Sequence, residues 1–408
     1  MKWAKIAVAT LVAAPVAAAA VGSGLARHAL DAGDADAALR WNPLFSDART
    51  SKASKLLGAG DLPGSERLAL EAIDRSPLNP DAAAILGYAR GLHSGAEAAT
   101  PFMAASTGMA WGNETAQLWM LGRAVASKRY EEAVVRTDAL LRQRLHREEL
   151  FPFLRGLTGS PAALPPIARS LARRPKWRMD YMQLLTALTP DAYEAHWALL
   201  EEMEKSSAPA TTAEVSAYVS RLAEAELFYE ARAAWIRFSG RKPDSEHVLD
   251  GNFGGLSGSG GNSPFEWTVE KLTGLSIGVQ PSPGPSGGSA LHITSDGRPS
   301  GPALTQTIVL PPGNYRLTME AREGQADSLR SVGWRLVCVG GKGTAQVSAP
   351  IASAADRDWQ RIGNAVQVPA DCPAQRLELH VNHDSPRDLD LWLRSVRIAT
   401  SGRLAPSL

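Results

Sequence analysis

The feature that most constrains this chain is a change of apolar period close to residue 248. Upstream, apolar residues recur every three to four positions; downstream, they alternate. The two periods belong to different elements, so the chain must build helices first and strands second. At 408 residues and 43.4 kDa it also exceeds what one hydrophobic core usually organises. A hydrophobic fraction of 44% with 21% charged residues excludes wholesale disorder and a polytopic membrane protein. The 43 basic and 42 acidic residues divide as 14 and 13 after Asp250 and 29 and 29 before it. Neither half has the positive excess that phosphate neutralisation needs, so no nucleic-acid partner is expected.

The chain begins Met-Lys-Trp-Ala-Lys and continues with an Ala/Val/Leu run from Ile6 to Gly22. A basic start followed by such a run marks an export leader. Ala18-Ala19-Ala20 offers small residues to a peptidase, whereas 17 apolar residues reach the lower limit for spanning a bilayer. The spacing of Leu25, Leu30 and Leu39 resumes at once, like a stalk running into the fold. The expected location is the periplasm, with residues 1–22 as an inner-membrane tether, or as a signal peptide where they are cut. The two cysteines, Cys338 and Cys372, both lie in the strand-forming part. In an exported chain they are expected to form a disulfide, worth roughly 3–4 kcal/mol in the chain-entropy picture. Their spacing fits no zinc site.

The helical part repeats. Ala38-Leu39-Arg40-Trp41-Asn42-Pro43-Leu44-Phe45-Ser46-Asp47-Ala48 realigns on Ala72-Ile73-Asp74-Arg75-Ser76-Pro77-Leu78-Asn79-Pro80-Asp81-Ala82 at an offset of 34 residues. Gly60-Asp61 sits at the turn between helices, Ala69 and Ala72 permit close crossing, and Pro77 ends the second helix. Leu86-Gly87 opens the next unit, and Leu121-Gly122 with Lys128-Arg129-Tyr130-Glu131-Glu132-Ala133 suggests another with a one-residue slip. This segment resembles the tetratricopeptide repeat family, whose unit is a helix–turn–helix of about 34 residues. The resemblance implies a scaffold that binds a protein partner and assigns no chemistry. Past Pro152 the repeat register is expected to be lost, although helices continue. Thr189-Pro190-Asp191 opens one to about Lys205, Thr211 and Glu214 form a capping box, and Ala223 to Phe238 reads as a further stretch ending at Gly240. Trp111, Trp119, Trp177, Trp197 and Trp235 read as inter-helix core.

The second part opens with 12 glycines between 251 and 300 and then alternates. Tyr315, Leu317, Met319 and Ala321 share one face, with Arg316, Thr318, Glu320 and Arg322 opposite. Leu377, Leu379 and Val381 alternate with Glu378, His380 and Asn382. Leu391 and Leu393 alternate with Trp392 and Arg394, before a register change to Val396 and Ile398. Trp334 to Val339 is apolar on nearly both faces, like a central strand, and Pro311-Pro312-Gly313-Asn314 is a turn. Seven or eight short strands fit a two-sheet sandwich.

Leu249-Asp250-Gly251-Asn252-Phe253, followed by Phe265-Glu266-Trp267, is similar to the opening strand of jelly-roll carbohydrate-binding modules. Thr305 to Leu317 looks like their turn between paired strands, and Leu389-Asp390-Leu391-Trp392 like their closing strand. Gly251-Asn252 departs from the usual order, so the resemblance does not carry over a structural calcium, and its presence stays open. The resemblance implies a polar sheet face that takes a sugar chain, with Glu320, Arg335, His380, Asn382 and Trp392 on one shared face. A solvated outer face with Trp392 at its rim explains the same alternation.

Catalytic signals are weak. Gly284-Pro285-Ser286-Gly287-Gly288 matches a nucleophile elbow in letters but lies in a Pro/Gly-rich loop. His380 and His383 would point to opposite sides of a strand, and Gly258-Ser259-Gly260-Gly261 lacks the context of a phosphate loop. Glu131-Glu132 and Glu201-Glu202 read as solvated helix residues, and Arg173-Arg174-Pro175-Lys176 as a helix end. No catalytic residue, cofactor or metal site is expected. The expected architecture is multidomain, α then β: a leader (1–22), a tetratricopeptide-like helical solenoid (23–243), a linker (244–250) and an antiparallel jelly-roll β-sandwich (251–402). The expected role is a non-enzymatic exported scaffold in cell-envelope polysaccharide assembly or export. The alternative is a polysaccharide lyase or glycoside hydrolase, for which His196, Tyr193 and Tyr229 are the helical candidates.

Overall fold

The computed structural model describes residues 2–186, 190–240, 247–257, 263–284, 288–340, 346–347, 358–382 and 388–401, with backbone alone at 2–16, 190–191 and 346–347. Thr189, Gly258-Ser259-Gly260-Gly261, Pro285-Ser286-Gly287 and His383 lie outside the described residues, as do the side chains of most of the expected leader. Helices precede strands, and the switch falls where the apolar period changes. The chain divides into two compact units, Met1–Arg178 and Met179–Leu408, so the division falls earlier than that switch.

The first unit holds α1 (Lys2–Asp31), α2 (Ala35–Trp41), α3 (Ser46–Gly58), α4 (Leu62–Arg75), α5 (Pro80–Ser94), α6 (Ala96–Met109), α7 (Glu114–Ala126), α8 (Tyr130–Arg142), α9 (Arg147–Thr158) and α10 (Leu164–Ala172). α1 runs without a break into the fold, where Ala26 packs with Ala38 and Ala48. Among the described residues no helix is long and apolar enough to cross a membrane.

The second helix of each pair begins at 62, 96, 130 and 164, three steps of 34. The first helices begin at 46, 80, 114 and 147. The register therefore runs through the pair that contains Pro152, as far as α10, contrary to the expectation that it is lost there. Pro152 lies inside α9 but early enough to remove only a bond to the first turn.

Two local devices recur. The turn between paired helices places a residue in the left-handed region, Gly60 at φ 82° and Lys128 at φ 53°, and the following residue caps or opens the next helix. The residue preceding α5, α7 and α9 reaches back to the previous first helix. Asn79 accepts from the Ala82 amide, and its Nδ2 donates to Ser46 Oγ at 3.2 Å and Thr50 Oγ1 at 3.0 Å. Asn113 accepts from the Ala116 amide and donates to Asp81 Oδ1 at 2.7 Å. His146 Nε2 lies 2.7 Å from Glu114 Oε1. At Asn79 and Asn113 one side chain thus caps its own helix and fixes the stacking of its neighbour, whereas His146 makes only the contact between repeats. Of the tryptophans, Trp177 and Trp235 are buried, and the Trp177 indole donates to Asp138 Oδ1 at 2.9 Å. Trp111 is instead exposed, because it sits in the loop before α7.

The second unit contains α11 (Arg178–Leu185, which begins at the boundary), α12 (Pro190–Glu204), α13 (Thr212–Glu224) and α14 (Phe228–Phe238). The capping box at Thr211 and Glu214 forms in both directions. The stretch read as continuous from 223 to 238 is broken, because Glu226 at φ 62° turns α13 into α14. His196 is sealed between α12 and α13, with its ring 4.3 Å from that of Tyr218, whose hydroxyl donates to Tyr193 O. Burial lowers the His196 pKa to about 4, with Glu214 pulling weakly the other way.

The strands are β1 (Thr268–Val269), β2 (Leu275–Pro281), β3 (Ser289–Ser295), β4 (Ser300–Ile308), β5 (Gly313–Glu323), β6 (Val332–Val339), β7 (Gln346–Val347), β8 (Gln360–Val368), β9 (Ala374–Asn382) and β10 (Leu389–Thr400). Two antiparallel sheets, ordered β1-β4-β9-β6 and β2-β3-β10-β5-β8-β7, enclose one core. β6 is an edge strand rather than the central one its apolar run suggests. Its outward Val337 is 37% exposed, and Cys338 is committed to a disulfide with Cys372, Cα atoms 5.3 Å apart. The Gln375 amide, fully buried, satisfies both the amide and the carbonyl of Leu310 where the chain turns from β4 towards β5.

Residues 249–253 are not the opening strand the resemblance implies, because Asp250 and Phe253 adopt φ of 55° and 63°. They form a clasp. Asp250 accepts from the amides of Gly254 and Gly255 at 2.8 and 2.7 Å, and its carbonyl accepts from the Trp267 indole at 2.9 Å. Its carboxylate is thereby used within the loop. Gly251 lies flat on β10, its carbonyl accepting from the Val396 amide, and Asn252 Oδ1 accepts from the Ser395 amide.

Two tests follow from these packings. A Cβ at Gly251 would stand 2.1 Å from the Val396 carbonyl oxygen. Gly251→Ala should therefore cost about 2–4 kcal/mol, read as a lower urea midpoint of the full chain; an unchanged midpoint would refute the clasp. His196 remains neutral in the fold while the unfolded chain binds a proton below its ordinary value of 6.5. Its contribution is complete above that value and falls as pH drops towards 4, by on the order of 3 kcal/mol. His196→Leu should flatten the pH dependence of the midpoint over this window, and an unaltered slope would show that the imidazole contributes none of it.

Candidate functional site

Alternation on paired strands decides which polar residues meet. In the six-stranded sheet β10 lies between β3 and β5, and Trp392 pairs with His292 on one side and Arg322 on the other. Their neighbours at 391 and 393 are buried leucines, so the odd positions hold the core and the even ones face outward. Asp390, Trp392 and Arg394 therefore form one outward row.

The row is built rather than merely solvated. The rings of His292 and Trp392 stack with centroids 3.8 Å apart and planes 13° apart. The nitrogens of His292 lie 2.9 Å from Asp390 Oδ1 and 3.2 Å from Gln280 Oε1. Arg394 donates through Nε to Glu320 Oε2 at 2.7 Å and through Nη1 to Ser282 Oγ at 3.1 Å. Its guanidinium sits 4.0 Å from the centroid of Trp359, whose indole donates to Pro283 O. Two aromatic groups, the Trp392–His292 stack and Trp359, thus stand beside oriented donors and acceptors. Rings of this kind pack on sugar C–H faces while the polar groups bond hydroxyls.

The five expected site residues do not share a face. Glu320 and Trp392 belong to this sheet, whereas Arg335, His380 and Asn382 lie on the outer side of the other one. The error is one of partnership. Outward alternation is correct for all five, but β6 and β9 pair with each other in the four-stranded sheet, which forms the opposite wall of the sandwich. There Arg335 lowers the His380 pKa after burial, Glu378 engages Arg376 at 2.6 Å, and Ser300 donates to Asn382. That face lacks a tryptophan among its described residues. At one end it meets α13 and α14 in a groove of about 500 Å³ lined by Ser220, Glu224, Phe228, Thr268 and Thr307. The six-stranded face is the candidate site.

Its missed members are His292, Trp359, Arg394, Asp390 and Gln280. The alternation at 389–394 announced Asp390 and Arg394. Nothing in the order of residues announced His292, 98 positions from its partner Asp390. Among the described residues no group of three His, Cys, Asp or Glu is placed to hold a metal. The helical candidates do not converge, since His196 is sealed and Tyr229 is 52% exposed on α14.

In the first unit a groove of about 620 Å³ runs over α3, α5 and α7, lined by Thr50, Asn79, Asp81, Tyr88 and Asn113 among others. The inter-repeat bonds form part of its wall. Leu78 and Tyr88 bring apolar surface to it, at 81% and 41% exposure.

Neither a protein-family model nor a curated protein matches this sequence. Among solved structures the chain is similar to a xylan-binding domain of carbohydrate-binding module family 22, at 16% identity over 40% of this chain and 100% of that one, with a TM-score of 0.29. It is similar to PilF of Pseudomonas aeruginosa at 16% identity over 47% and 74%, TM-score 0.22. It is also similar to the module-and-catalytic-domain structure of Clostridium thermocellum xylanase 10B, complexed with xylohexaose, at 12% identity over 38% and 29%, TM-score 0.25. Fits at this level carry no weight for function, and the site rests on its own geometry.

Proposed function

We propose that this chain is a non-enzymatic adaptor of the cell envelope. It binds glycan on the outer face of its six-stranded sheet and a protein partner in the groove of its helical repeats. The observation that carries the glycan half is the Trp392–His292 stack, held by Asp390 and flanked by Arg394 under Trp359. Such a row concentrates rigid aromatic surface and fixed hydrogen-bonding groups on one open face, and a sugar ring offers both matching chemistries. The groove over α3, α5 and α7 supports the protein half, because it combines exposed Leu78 and Tyr88 with the polar Asn79 and Asn113. The setting is assembly or export of a cell-envelope polysaccharide. The bond between Cys338 and Cys372 supports an oxidising compartment, as does the basic, apolar start of the chain.

The test is isothermal titration of the full chain against a panel of neutral and acidic bacterial polysaccharides. At least one should bind, and Trp392→Ala and Trp359→Ala should each weaken it tenfold or more, the cost of losing an aromatic anchor of about 1.4 kcal/mol or above. Heats indistinguishable from buffer dilution across the panel would remove the glycan half. So would full affinity in both variants when their circular dichroism matches the parent.

A further inference from the structure

The glycan face is not electrically uniform, and its charge favours one class of sugar chain. Both carboxylates on the outward side of β5 and β10 are engaged, Glu320 by Arg394 and Asp390 by His292. Further along the same side stand Arg316 on β5, Arg361 on β8 and Arg397 on β10, all exposed. The register places them together. Arg316 pairs with Ala365, Arg361 with Glu320 and Arg397 with Thr318, which pairs in turn with Gly363. None of these three arginines makes an ion pair among the described residues. The floor between them is small, and the Arg316 guanidinium lies across Gly363, whose added Cβ would come within 3.3 Å of Nη1. The result is a shallow bed with planar donors spread over it, continuous with the aromatic row. Unpaired guanidinium groups at such spacing are matched by carboxylates repeated along a polymer, which they can bind bidentately.

We infer that the ligand is an acidic polysaccharide, with uronate carboxylates meeting Arg316, Arg361 and Arg397 while a sugar ring packs at Trp392 and Trp359. This rests on the glycan reading above and adds the ligand class and three residues that read it. Arginine–carboxylate contacts at an exposed face weaken with salt, whereas ring packing does not.

The experiment compares a polyuronate with the same polymer after chemical reduction of its carboxyl groups, each titrated into the full chain at low and high ionic strength. The polyuronate should bind about tenfold or more tightly at low salt, and the advantage should shrink at high salt. Replacing Arg316→Gln, Arg361→Gln and Arg397→Gln together should erase the advantage and leave binding of the reduced polymer in place, while Trp392→Ala weakens both polymers. Equal affinity for the two polymers, unchanged by salt, would overturn the inference and leave the glycan reading standing. Failure of both polymers to bind, together with the rest of the polysaccharide panel, would remove the reading itself. Single-stranded DNA binding as tightly as the polyuronate would also overturn the inference, by showing a surface that takes any polyanion. The comparison of polymers and salts needs no variant, so it decides the matter even where the triple substitution unfolds the chain.

Discussion

Everything that faces outward from the six-stranded sheet depends on how the backbone of β10 is held. This strand lies between β3 and β5, so it cannot drift without breaking two ladders. Its register nevertheless shifts between Arg394 and Arg397, where Ser395 adopts φ 57°. A bulge of this kind lets Val396 and Ile398 return to the core after Leu391 and Leu393, while Arg394 and Arg397 both remain outside. The clasp at 249–253 closes on that bulge. Gly251 approaches Val396 with no side chain between them, and Asn252 takes the Ser395 amide that the ladder leaves unpaired. Core registration and site geometry are therefore one constraint, set by a glycine and an asparagine distant in sequence from the residues they position.

The helical repeats solve a comparable problem differently. Each pair is too small to bury its apolar face alone, so the stack must be specified pair by pair. The side chains at 79, 113 and 146 do this where one first helix meets the next. Asn79 and Asn113 also line the groove, so groups that set the stacking also set its polarity. Where the spacing of 34 ends, after α10, the chain passes into the second unit, in which α13 and α14 pack beside the four-stranded sheet.

Much of the fold is legible in the residues because it is local. The capping box at Thr211, the repeat of 34, the alternation along β5, β9 and β10 and the register change before Val396 all depend on neighbours within a few positions or on a strict period. The misreadings share a cause. Trp334 to Val339 looks central because apolar residues on both faces usually mean two covered faces, but here the second face carries Arg335 and an exposed Val337, while the Cys338 disulfide sits on the core side. The run from Ala223 to Phe238 looks continuous because Glu226 is no helix breaker by type; its left-handed turn is imposed by the pair it joins. For the site, the alternation gave the correct side of every strand and no information about which strands were neighbours. Glu320 and Arg335 are equally outward, and only the pairing of β5 with β10 and of β6 with β9 assigns them to opposite walls.

The charge of the chain teaches the same lesson. A net charge of +1 sums 43 basic and 42 acidic residues and rightly argues against a protein built around phosphate neutralisation. It says nothing about where the charges lie. In the second unit the strand order gathers arginines from β5, β8 and β10 onto one side while Glu320 and Asp390 are spent on Arg394 and His292. A local field then survives in a chain whose net charge is only +1. Its reach is limited to about 8–10 Å by screening at physiological salt, so on the proposed reading it would act on a polymer already lying along the sheet rather than draw one from a distance. For the proposed acidic ligand such a field would sort among chains that the aromatic row can hold, with ring packing supplying affinity and guanidinium groups choice.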